Sequence, residues 1–496
     1  MENYKKLKTI FKKLAHLQYA QKLITWDEAV MMPEGAGPFR ASTMATLDGV
    51  IQKKLIQKKV GIFIENAKAQ RDQLSVWDQI NLKWMEKKYR QASCIPPALT
   101  EQFTKTKMAC EQAWRKRRPQ NNWREFLPYL ENTFQLVKEI AARQASFLQL
   151  TPYDALLDEY APGFTQARID GIFSELKQLL PPLLSQIMKK QSTRRLQLPQ
   201  GPFLIEKQKT LGLLVMRSLQ FDFNRGRLDR SHHPFCNGIP ADVRITTRYS
   251  EDEFMTSLLG ICHETGHALY EQGLPPKWTS QPVGMIHSMA MHESQSLLIE
   301  MQVCRSQAYF QFLLPLLQQE FGKDQAFTAE NLFNLITQVK PSLIRVDADE
   351  VTYPFHVILR YEIEQGLFKG DLSIADLPAA WDEGMQKYLG ISTQGDYKNG
   401  VMQDVHWPSG AFGYFPAYTL GRLIAAQFYD VFSKEHPHFS AEVKQGNFQT
   451  LITWLRKHIH RSASFLTTAE LLTQITGKDL DSQSFIHHLQ QRYLNH

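Results

Sequence analysis

Residues 262–270 read Cys-His-Glu-Thr-Gly-His-Ala-Leu-Tyr and contain the pattern His-Glu-x-x-His. On an α-helix, residues four positions apart lie on one face, so His263 and His267 can offer two imidazole nitrogens to one cation. Glu264 lies beside them, where a carboxylate can take a proton from the water that attacks a substrate. The pattern alone also fits a solvated helix face that carries two histidines, so the surrounding sequence has to decide between the two interpretations.

The flanking sequence predicts that this pattern lies in a helix. Ser250 and Glu253 form a capping-box pattern, apolar residues follow at helical spacing, and Gly273 with two prolines after it ends the segment. Directly before the helix, residues 242–249 alternate β-branched and charged side chains, which is typical of a strand. The edge of a small sheet beside such a helix can hold an extended peptide by backbone pairing.

A catalytic zinc site needs a third protein ligand and an open position. A second helix is predicted over residues 286–312, and its Glu293 lies far enough beyond His267 for the chain to turn and return beside the first helix. Two histidines and one glutamate form a known catalytic zinc set. We therefore predict one Zn²⁺ per chain, although Co²⁺ or Mn²⁺ can occupy the same ligands.

The chain as a whole predicts a mainly α-helical protein. It has 496 residues, of which 43% are hydrophobic and 11% aromatic, and this composition is ample for a large buried core. Breakers rich in proline and glycine are short, including Pro181-Pro182, and no repeat or long linker stands out. We predict one unit over residues 1–496, with a deep cleft and a small β-sheet beside the metal-binding helix. The other predicted helices are 2–25, 40–69, 75–91, 97–117, 122–149, 165–190, 205–219, 328–340, 353–365, 377–388 and 418–433.

Charge, cysteine content and hydropathy exclude several classes of protein. The net charge of +7 is spread along the chain, and the basic cluster at 115–118 has no nucleic-acid-binding module beside it, so no nucleic-acid partner is expected. Five scattered cysteines do not form a disulfide framework and suit a reducing compartment. Residues 1–17 lack the apolar region of a signal peptide, and no membrane span is predicted. The expected location is the cytoplasm.

Six short motifs occur in order along the chain and together resemble one family. They are His-Pro-Phe at 233–235, Asp-x-Arg-x-Thr at 242–246, His-Glu-x-x-His at 263–267, His-Glu-Ser-Gln at 292–295, Ile-Arg-x-x-Ala-Asp at 344–349 and Gly-x-x-Gln-Asp-x-His-Trp at 400–407. In this order the chain resembles, over nearly its whole length, metallocarboxypeptidases of the thermostable carboxypeptidase Taq type (peptidase family M32). The resemblance implies a helical fold with a cleft, a homodimer, and release of single residues from the free C-terminus of peptides with broad specificity.

The resemblance also implies roles for individual residues. His263, His267 and Glu293 are the expected metal ligands, and Glu264 is the general base that later acts as general acid. Arg345 matches the arginine that binds the terminal carboxylate of the substrate, since a guanidinium pairs with a carboxylate in a bidentate fork. A structural ion pair is the alternative for this arginine, with three candidate partners: Asp347, Asp349 and Glu350.

Four further residues are candidates for lining the cleft. Arg244 fits either the closed end of the cleft or a salt bridge on the strand surface, and His233 is expected on a loop at the substrate-binding end. His406 and Tyr414 can donate a hydrogen bond where negative charge develops on the substrate. A buried imidazole bonded to the backbone is the alternative for His406. Two aspartates, Asp242 and Asp349, are expected to hold Arg244 and Arg345.

The chain departs from the family pattern at several positions. Leu297, Ile299 and Met301 stand where the family commonly has Arg, Trp and Asn, and Ala161 stands where it often has Glu. None of these replaces an expected ligand or the catalytic glutamate, so the departures bear on packing and substrate preference.

Two other functions stay open at this point. One is a dipeptidyl carboxypeptidase or oligoendopeptidase with a similar helical cleft, and the other is a catalytically inactive scaffold that binds peptides. The motif with Arg345 argues against the first. The intact ligand set and Glu264 argue against the second.

Overall fold

Helices make up most of the chain, which confirms the predicted fold class. The computed structural model describes residues 1–495. Its α-helices are α1 (Glu2–Val30), α2 (Gly37–Leu55), α3 (Lys58–Lys68), α4 (Val76–Ser93), α5 (Pro97–Arg117), α6 (Trp123–Leu148), α7 (Pro152–Tyr160), α8 (Gln166–Gln191), α9 (Ile205–Ser218), α10 (Met255–Gly273), α11 (Met289–Leu297), α12 (Gln307–Phe321), α13 (Ala329–Ile336), α14 (Tyr353–Lys369), α15 (Leu377–Leu389), α16 (Pro416–Glu435), α17 (Phe439–Lys444), α18 (Gln449–His458), α19 (Thr468–Thr476) and α20 (Gln483–Leu494).

Most predicted helices exist, and their bounds differ for physical reasons. Helix α5 has the predicted bounds, whereas the single helix predicted over 40–69 is two helices, α2 and α3, which pack in turn against α1. Pro181 and Pro182, which we interpreted as a breaker, lie inside α8. This helix continues because Leu180 and Leu183 are buried in the core, and such packing outweighs the lost backbone hydrogen bonds. Helices α7 and α17 to α20 were not predicted.

A three-stranded sheet lies against α10, as expected. Its strands are β1 (Gly226–Arg230), β2 (Cys236–Ile239) and β3 (Asp242–Thr247), in the order β1-β3-β2, and β3 is the strand predicted from sequence. Strand β1 pairs with β3 in parallel and β2 pairs with β3 in antiparallel orientation. Val243 and Ile245 of β3 are fully buried against Ile261 and Ala268 of α10, so the sheet and the helix share one small core.

Helix α10 begins later than the capping box predicted. Its N-cap is Phe254, whose side chain makes no cap hydrogen bond, and Ser250 lies in the preceding loop. Glu253 still contributes, because its carboxylate accepts a hydrogen bond of 2.9 Å from the backbone N–H of Thr256. Burial of the Phe254 ring against Phe203 fixes the start of the helix instead of a polar cap.

The continuous helix predicted over 286–312 is wrong. Helix α11 runs into a π-helical segment, Leu298–Cys304, and α12 starts only after Ser306, whose hydroxyl accepts from the backbone N–H of Tyr309. Every residue of the π-helical segment is buried. The family departures at Leu297, Ile299 and Met301 therefore provide apolar side chains for the main core.

The main core runs through the helices from α5 to α20 and surrounds α11. A separate cluster joins α1, α3 and α4. Helix α11 packs against α10 on one side and α16 on the other. Within residues 1–495, no helix has both the length and the apolar character that crossing a membrane requires. That the whole chain is one domain stays a prediction.

The contact between α10 and α11 depends on Gly266. A Cβ at this position would lie 2.6 Å from the Cα of Ser296 and 2.7 Å from the backbone oxygen of Gln295. Since both neighbours are backbone atoms, neither can turn aside, and only glycine allows the helices to approach this closely.

We expect Gly266→Ala to lower the free energy of unfolding by roughly 1–3 kcal/mol, because the added methyl group has no space. Gly171→Ala is the matched control, since nothing lies within 4 Å of an added Cβ at this exposed position of α8. The control should be neutral or stabilising by about 0.4–1 kcal/mol. Denaturant unfolding followed by circular dichroism measures both variants, and equal stability of the two would contradict this account of the helix contact.

Candidate metal centre

The three expected ligands lie together between α10 and α11. The Nε2 atoms of His263 and His267 lie 3.9 and 3.5 Å from Oε2 of Glu293. One donor atom from each of the three side chains lies within 4.8 Å of the other two. In a tetrahedral site with bonds of about 2.0–2.2 Å, neighbouring ligand atoms are roughly 3.3 Å apart, so one ion can join all three with small adjustments.

The other ring nitrogen of each histidine is held by a hydrogen-bond acceptor. Nδ1 of His263 lies 2.9 Å from Oε2 of Glu300, and Nδ1 of His267 lies 3.0 Å from the carbonyl oxygen of His292. An acceptor at Nδ1 favours the tautomer that carries its proton there, which makes each Nε2, the nitrogen facing Glu293, available to a metal ion. Both imidazoles are therefore oriented as metal ligands.

Glu300 was not identified from the sequence. It lies in the π-helical segment, two turns after Glu293, and its own carboxylate accepts hydrogen bonds of 2.7 and 3.2 Å from Arg305. Burial disfavours its ionisation, but Arg305 and His263 outweigh burial and lower the pKa of Glu300 to about 2. Its helical spacing from Glu293 was a usable signal, although no motif marks it.

Helix α16 packs against Glu293, the expected third ligand. A Cβ at Gly421 would lie 2.8 and 2.9 Å from the Cγ and Cβ atoms of Glu293, so the backbone of α16 packs directly on this side chain. Burial opposes the ionised form of Glu293, yet His263 and His267 prevail and lower its pKa to about 2. Glu293 is therefore held as a carboxylate in a fixed position.

Glu264 faces the same site with an unused oxygen. The residue is 6% exposed, and among the described residues its Oε2 has no hydrogen-bond partner. Burial raises the pKa of Glu264, and the nearby imidazoles oppose that rise. A buried carboxylate oxygen without a partner is unfavourable unless another group binds there. The donor set and this free oxygen together fit a divalent cation with an open coordination position.

Arg345 is buried near the ligand set and is paired with Asp404. Its Nε and Nη2 donate to Oδ1 of Asp404 at 3.1 and 2.8 Å, and Nη1 donates to the Tyr353 hydroxyl at 2.5 Å. The Arg345 guanidinium also lies 4.8 Å from the ring centroid of Tyr418, and Gly421, three residues later in α16, packs on Glu293, so one helix links Arg345 to the ligand set. A guanidinium has five N–H groups. Three of them make these hydrogen bonds, and one N–H on each terminal nitrogen is left.

The partners expected for a structural ion pair of Arg345 were wrong. Asp349, which we expected to hold Arg345, instead accepts from the backbone N–H groups of Val351 and Thr352 just before α14. The actual partner, Asp404, also accepts a hydrogen bond of 2.7 Å from Arg360, and the two arginines hold the pKa of Asp404 far below its usual range against the effect of burial.

Arg244 and His233 lie on the sheet side of the molecule. Arg244 donates to both carboxylate oxygens of Asp242, at 3.0 and 2.9 Å, and its guanidinium lies 4.3 Å from the ring centroid of Trp26. This arrangement favours the salt-bridge interpretation of Arg244. His233 is exposed on the loop between β1 and β2. Within residues 1–495, neither side chain contacts the ligand set.

His406 and Tyr414 lie together and are joined through Tyr418, which was not identified from sequence. Nε2 of His406 lies 2.9 Å from the hydroxyl of Tyr418, and the ring centroids of Tyr414 and Tyr418 are 5.2 Å apart. Burial and then the charge of Glu293 raise the pKa of Tyr414, so the phenol keeps its proton at pH 7. Tyr418 lies in the first turn of α16 and Tyr414 precedes that helix, so helical spacing gave no signal for Tyr418.

The imidazole of His406 makes its hydrogen bond to the hydroxyl of Tyr418. The alternative, a buried imidazole bonded to the backbone, is therefore wrong. Burial lowers the pKa of His406 to about 3, so the imidazole is neutral at pH 7. Its Nδ1 has no hydrogen-bond partner among the described residues.

Comparison with known proteins decides the family. The family described as carboxypeptidase Taq (M32) metallopeptidase matches residues 6–493. The chain belongs to the M32 family. Thermostable carboxypeptidase 1 of Thermus thermophilus is 36% identical over 99% of this chain and 98% of its own length. Carboxypeptidase 1 of Bacillus subtilis is 33% identical over 98% of this chain and 97% of its own length.

Solved M32 structures share the whole fold. Metallocarboxypeptidase 1 of Trypanosoma cruzi superimposes with a TM-score of 0.97 at 40% identity and covers 100% of both chains. A Pyrococcus furiosus carboxypeptidase has a TM-score of 0.95 at 30% identity and covers 100% of this chain and 99% of its own. This M32 protein is a metallocarboxypeptidase, which confirms the family predicted from the motifs.

We expect Glu300→Gln to weaken metal binding about 10- to 100-fold, because an amide holds the imidazole of His263 less firmly than a carboxylate. Titration of the metal-free protein with Zn²⁺ in competition with a chelator gives the Kd. Glu330→Gln makes the same change at an exposed position of α13 and should leave the Kd unchanged. Equal affinity in the two variants would show that Glu300 does not support the ligand.

Proposed function

We propose that this M32 enzyme uses Zn²⁺ to release single amino acids from the C-termini of peptides, with broad specificity. One observation carries the proposal. A buried arginine with two N–H groups left, Arg345, lies near the His263, His267 and Glu293 ligand set, because Tyr418 of α16 contacts Arg345 and Gly421 of the same helix packs on Glu293. A metal ion and a carboxylate-binding cation in one cleft are what hydrolysis at a free C-terminus requires.

The ligand set supports a metal ion of the zinc class. His263 and His267 would bind it through Nε2, and Glu293 through a carboxylate oxygen, because these atoms face each other. Mixed nitrogen and oxygen ligation with an open position suits Zn²⁺, and Co²⁺ or Mn²⁺ fits the same set. When bound, such an ion polarises the scissile carbonyl and lowers the pKa of water.

Glu264 moves the protons of the reaction. Its free Oε2 takes a proton from the attacking water, and burial favours this step because it raises the pKa of the carboxyl. The same oxygen then gives the proton to the leaving nitrogen as the C–N bond breaks. Both steps use an oxygen that no residue of the described chain occupies.

The other cleft residues bind and orient the peptide. The two remaining N–H groups of Arg345 pair with the terminal carboxylate, so the last peptide bond is placed at the ligand set. Tyr414 keeps its proton and donates to the carbonyl oxygen as negative charge develops, while His406 acts with it through Tyr418. Arg244 supports the sheet through Asp242, and His233 contributes to the rim of the cleft.

Several further attributes belong to the same proposal. Peptides with a free C-terminus are the partners that the chemistry of Arg345 recognises. The homodimer rests on the resemblance to the M32 family. The cytoplasmic location is supported by five cysteines that all remain unpaired in residues 1–495.

Dipeptide release, internal cleavage and an inactive peptide-binding scaffold are the alternatives. The buried Arg345 beside the ligand set favours single-residue release over the first two. The intact set of three ligands and Glu264 favours an enzyme over the scaffold.

With the Zn²⁺-loaded wild-type protein, we expect release of the free C-terminal amino acid from an N-blocked tripeptide. Glu264→Gln should lower kcat by about 10²- to 10⁴-fold, because the amide keeps the shape but cannot accept the proton. Amino-acid analysis measures release, and metal analysis verifies that the variant is loaded. If the loaded wild-type protein releases no single amino acid, the proposed function is wrong.

Recognition of the terminal carboxylate is tested with matched peptides that end in a free acid or an amide. We expect the wild-type enzyme to have a kcat/KM roughly 10- to 100-fold higher for the acid than for the amide. This ratio corresponds to the free energy of hydrogen bonds to a charged group. Arg345→Gln should abolish this preference. Arg360→Gln is the control, because it removes the other arginine that pairs with Asp404. This variant should keep the preference for the acid, which shows that loss of a partner of Asp404 is not the cause of the Arg345→Gln effect. A variant at Arg345 that still prefers the acid would overturn the assignment.

A further inference from the structure

Glu364 of α14 is a fully buried carboxylate outside the ligand set. Its Oε1 accepts a hydrogen bond of 2.8 Å from Nε1 of Trp407. Its Oε2 accepts two more, each of 2.8 Å, from the backbone N–H of Gly413 and from the hydroxyl of Tyr153. The three donors come from α7 and from both ends of the segment 407–413, so one carboxylate joins two distant parts of the chain to α14.

The segment 407–413 connects the two proposed hydrogen-bond donors of the cleft. His406 directly precedes Trp407, and Tyr414 directly follows Gly413. A backbone hydrogen bond of 2.8 Å from Ala411 to the carbonyl of His406 closes the segment into a compact loop. Any shift at either end of this loop therefore moves a side chain that faces the substrate.

Gly413 shows how tightly the loop lies against α7. Its φ is +82°, and an added Cβ would meet the carbonyl carbon of Leu156 at 3.0 Å and the nitrogen of Leu157 at 3.1 Å. The ring of Tyr160 at the end of α7 lies 4.8 Å from the ring of Tyr414. Helix α7 thus contacts both the backbone of the loop at Gly413 and the ring of Tyr414, the residue that follows the loop.

Helix α14 also positions the carboxylate-binding side of the cleft. Its Tyr353 accepts a hydrogen bond from Arg345, and its Arg360 donates to Asp404. Because Glu364 lies on the same helix, it can hold His406 and Tyr414 in a fixed relation to Arg345. The helix is the common support for both sets of residues.

We propose that Glu364 is a positioning residue for peptide hydrolysis, which fixes both ends of the segment 407–413 and so sets the positions of His406 and Tyr414 in the cleft. The effect on catalysis rests on the proposed function, whereas the attachment of the loop is a property of the fold. A carboxylate suits this position because its three hydrogen-bond partners are all donors, and both of its oxygens can accept.

The burial of this group is unfavourable in itself, which supports a role beyond filling space. Burial raises the pKa of Glu364 to about 7, although the three donors and the nearby Arg360 oppose that rise. A buried acid is tolerated where its hydrogen bonds hold structure that an apolar side chain would not hold.

The test is Glu364→Gln in the metal-loaded full-length protein. An amide must point its NH₂ group at one of three donors, so at least one contact is lost. We expect kcat to fall by roughly 10- to 100-fold while KM and the Zn²⁺ Kd stay unchanged, because the reacting groups shift without loss of substrate or metal binding. Hydrogen–deuterium exchange of residues 407–415 should become faster.

Glu362→Gln is the matched control. It makes the same change on the same helix, at a partly exposed side chain that accepts from Lys177 and Tyr388. It should change neither kcat nor exchange of the loop. Tyr153→Phe removes one of the three donors and should have a smaller effect in the same direction, and it keeps the proposal testable if Glu364→Gln fails to fold.

The outcomes separate this proposal from the proposed function. The positioning role of Glu364 is overturned if Glu364→Gln keeps both the kcat and the exchange of residues 407–415 seen in the wild-type protein. It is also overturned if the variant loses kcat, substrate affinity and metal binding together. If the loaded wild-type protein releases no amino acid, the proposed function fails. Exchange then decides alone: faster exchange in Glu364→Gln and not in Glu362→Gln supports the attachment, and unchanged exchange overturns it.

Discussion

Helices α10 and α11 approach so closely at Gly266 that no side chain fits between their backbones, and the remainder of the site depends on this contact. Two histidines on one face of α10 are useful only if a third ligand meets their Nε2 atoms. The close approach brings Glu293 to within 3.5–3.9 Å of both. Helix α16 packs at Gly421 directly against Glu293, so the backbone of this helix confines the side chain.

Around this contact, buried carboxylates organise the candidate site. Glu300 orients a ligand imidazole, Asp404 joins two arginines, and Glu364 attaches the loop that carries His406 and Tyr414. Each of these acids accepts several hydrogen bonds, because a buried charge without such partners would be strongly unfavourable. Most of their partners come from distant parts of the chain, so the candidate site depends on the whole fold.

Local sequence rules worked where local interactions dominate. Helix α5 has its predicted bounds because apolar spacing and the proline at its start both favour the same segment. The same local rules gave wrong helix bounds where tertiary packing dominates. Phe254 starts α10 in place of the polar cap, prolines remain inside α8, and the predicted helix over 286–312 includes a π-helical segment that is buried throughout.

The sequence by itself determined the mainly helical class, the strand before α10 and the three side chains that form the ligand set. These follow from the spacing of residues along a helix, which is a local property, and from motifs in a characteristic order. Only the tertiary structure decided that Glu300 supports His263, that Asp404 rather than Asp349 pairs with Arg345, and that Glu364 holds the loop at 407–413. Partners of buried charges are selected by long-range packing, and no periodicity in the sequence encodes which distant segment supplies them.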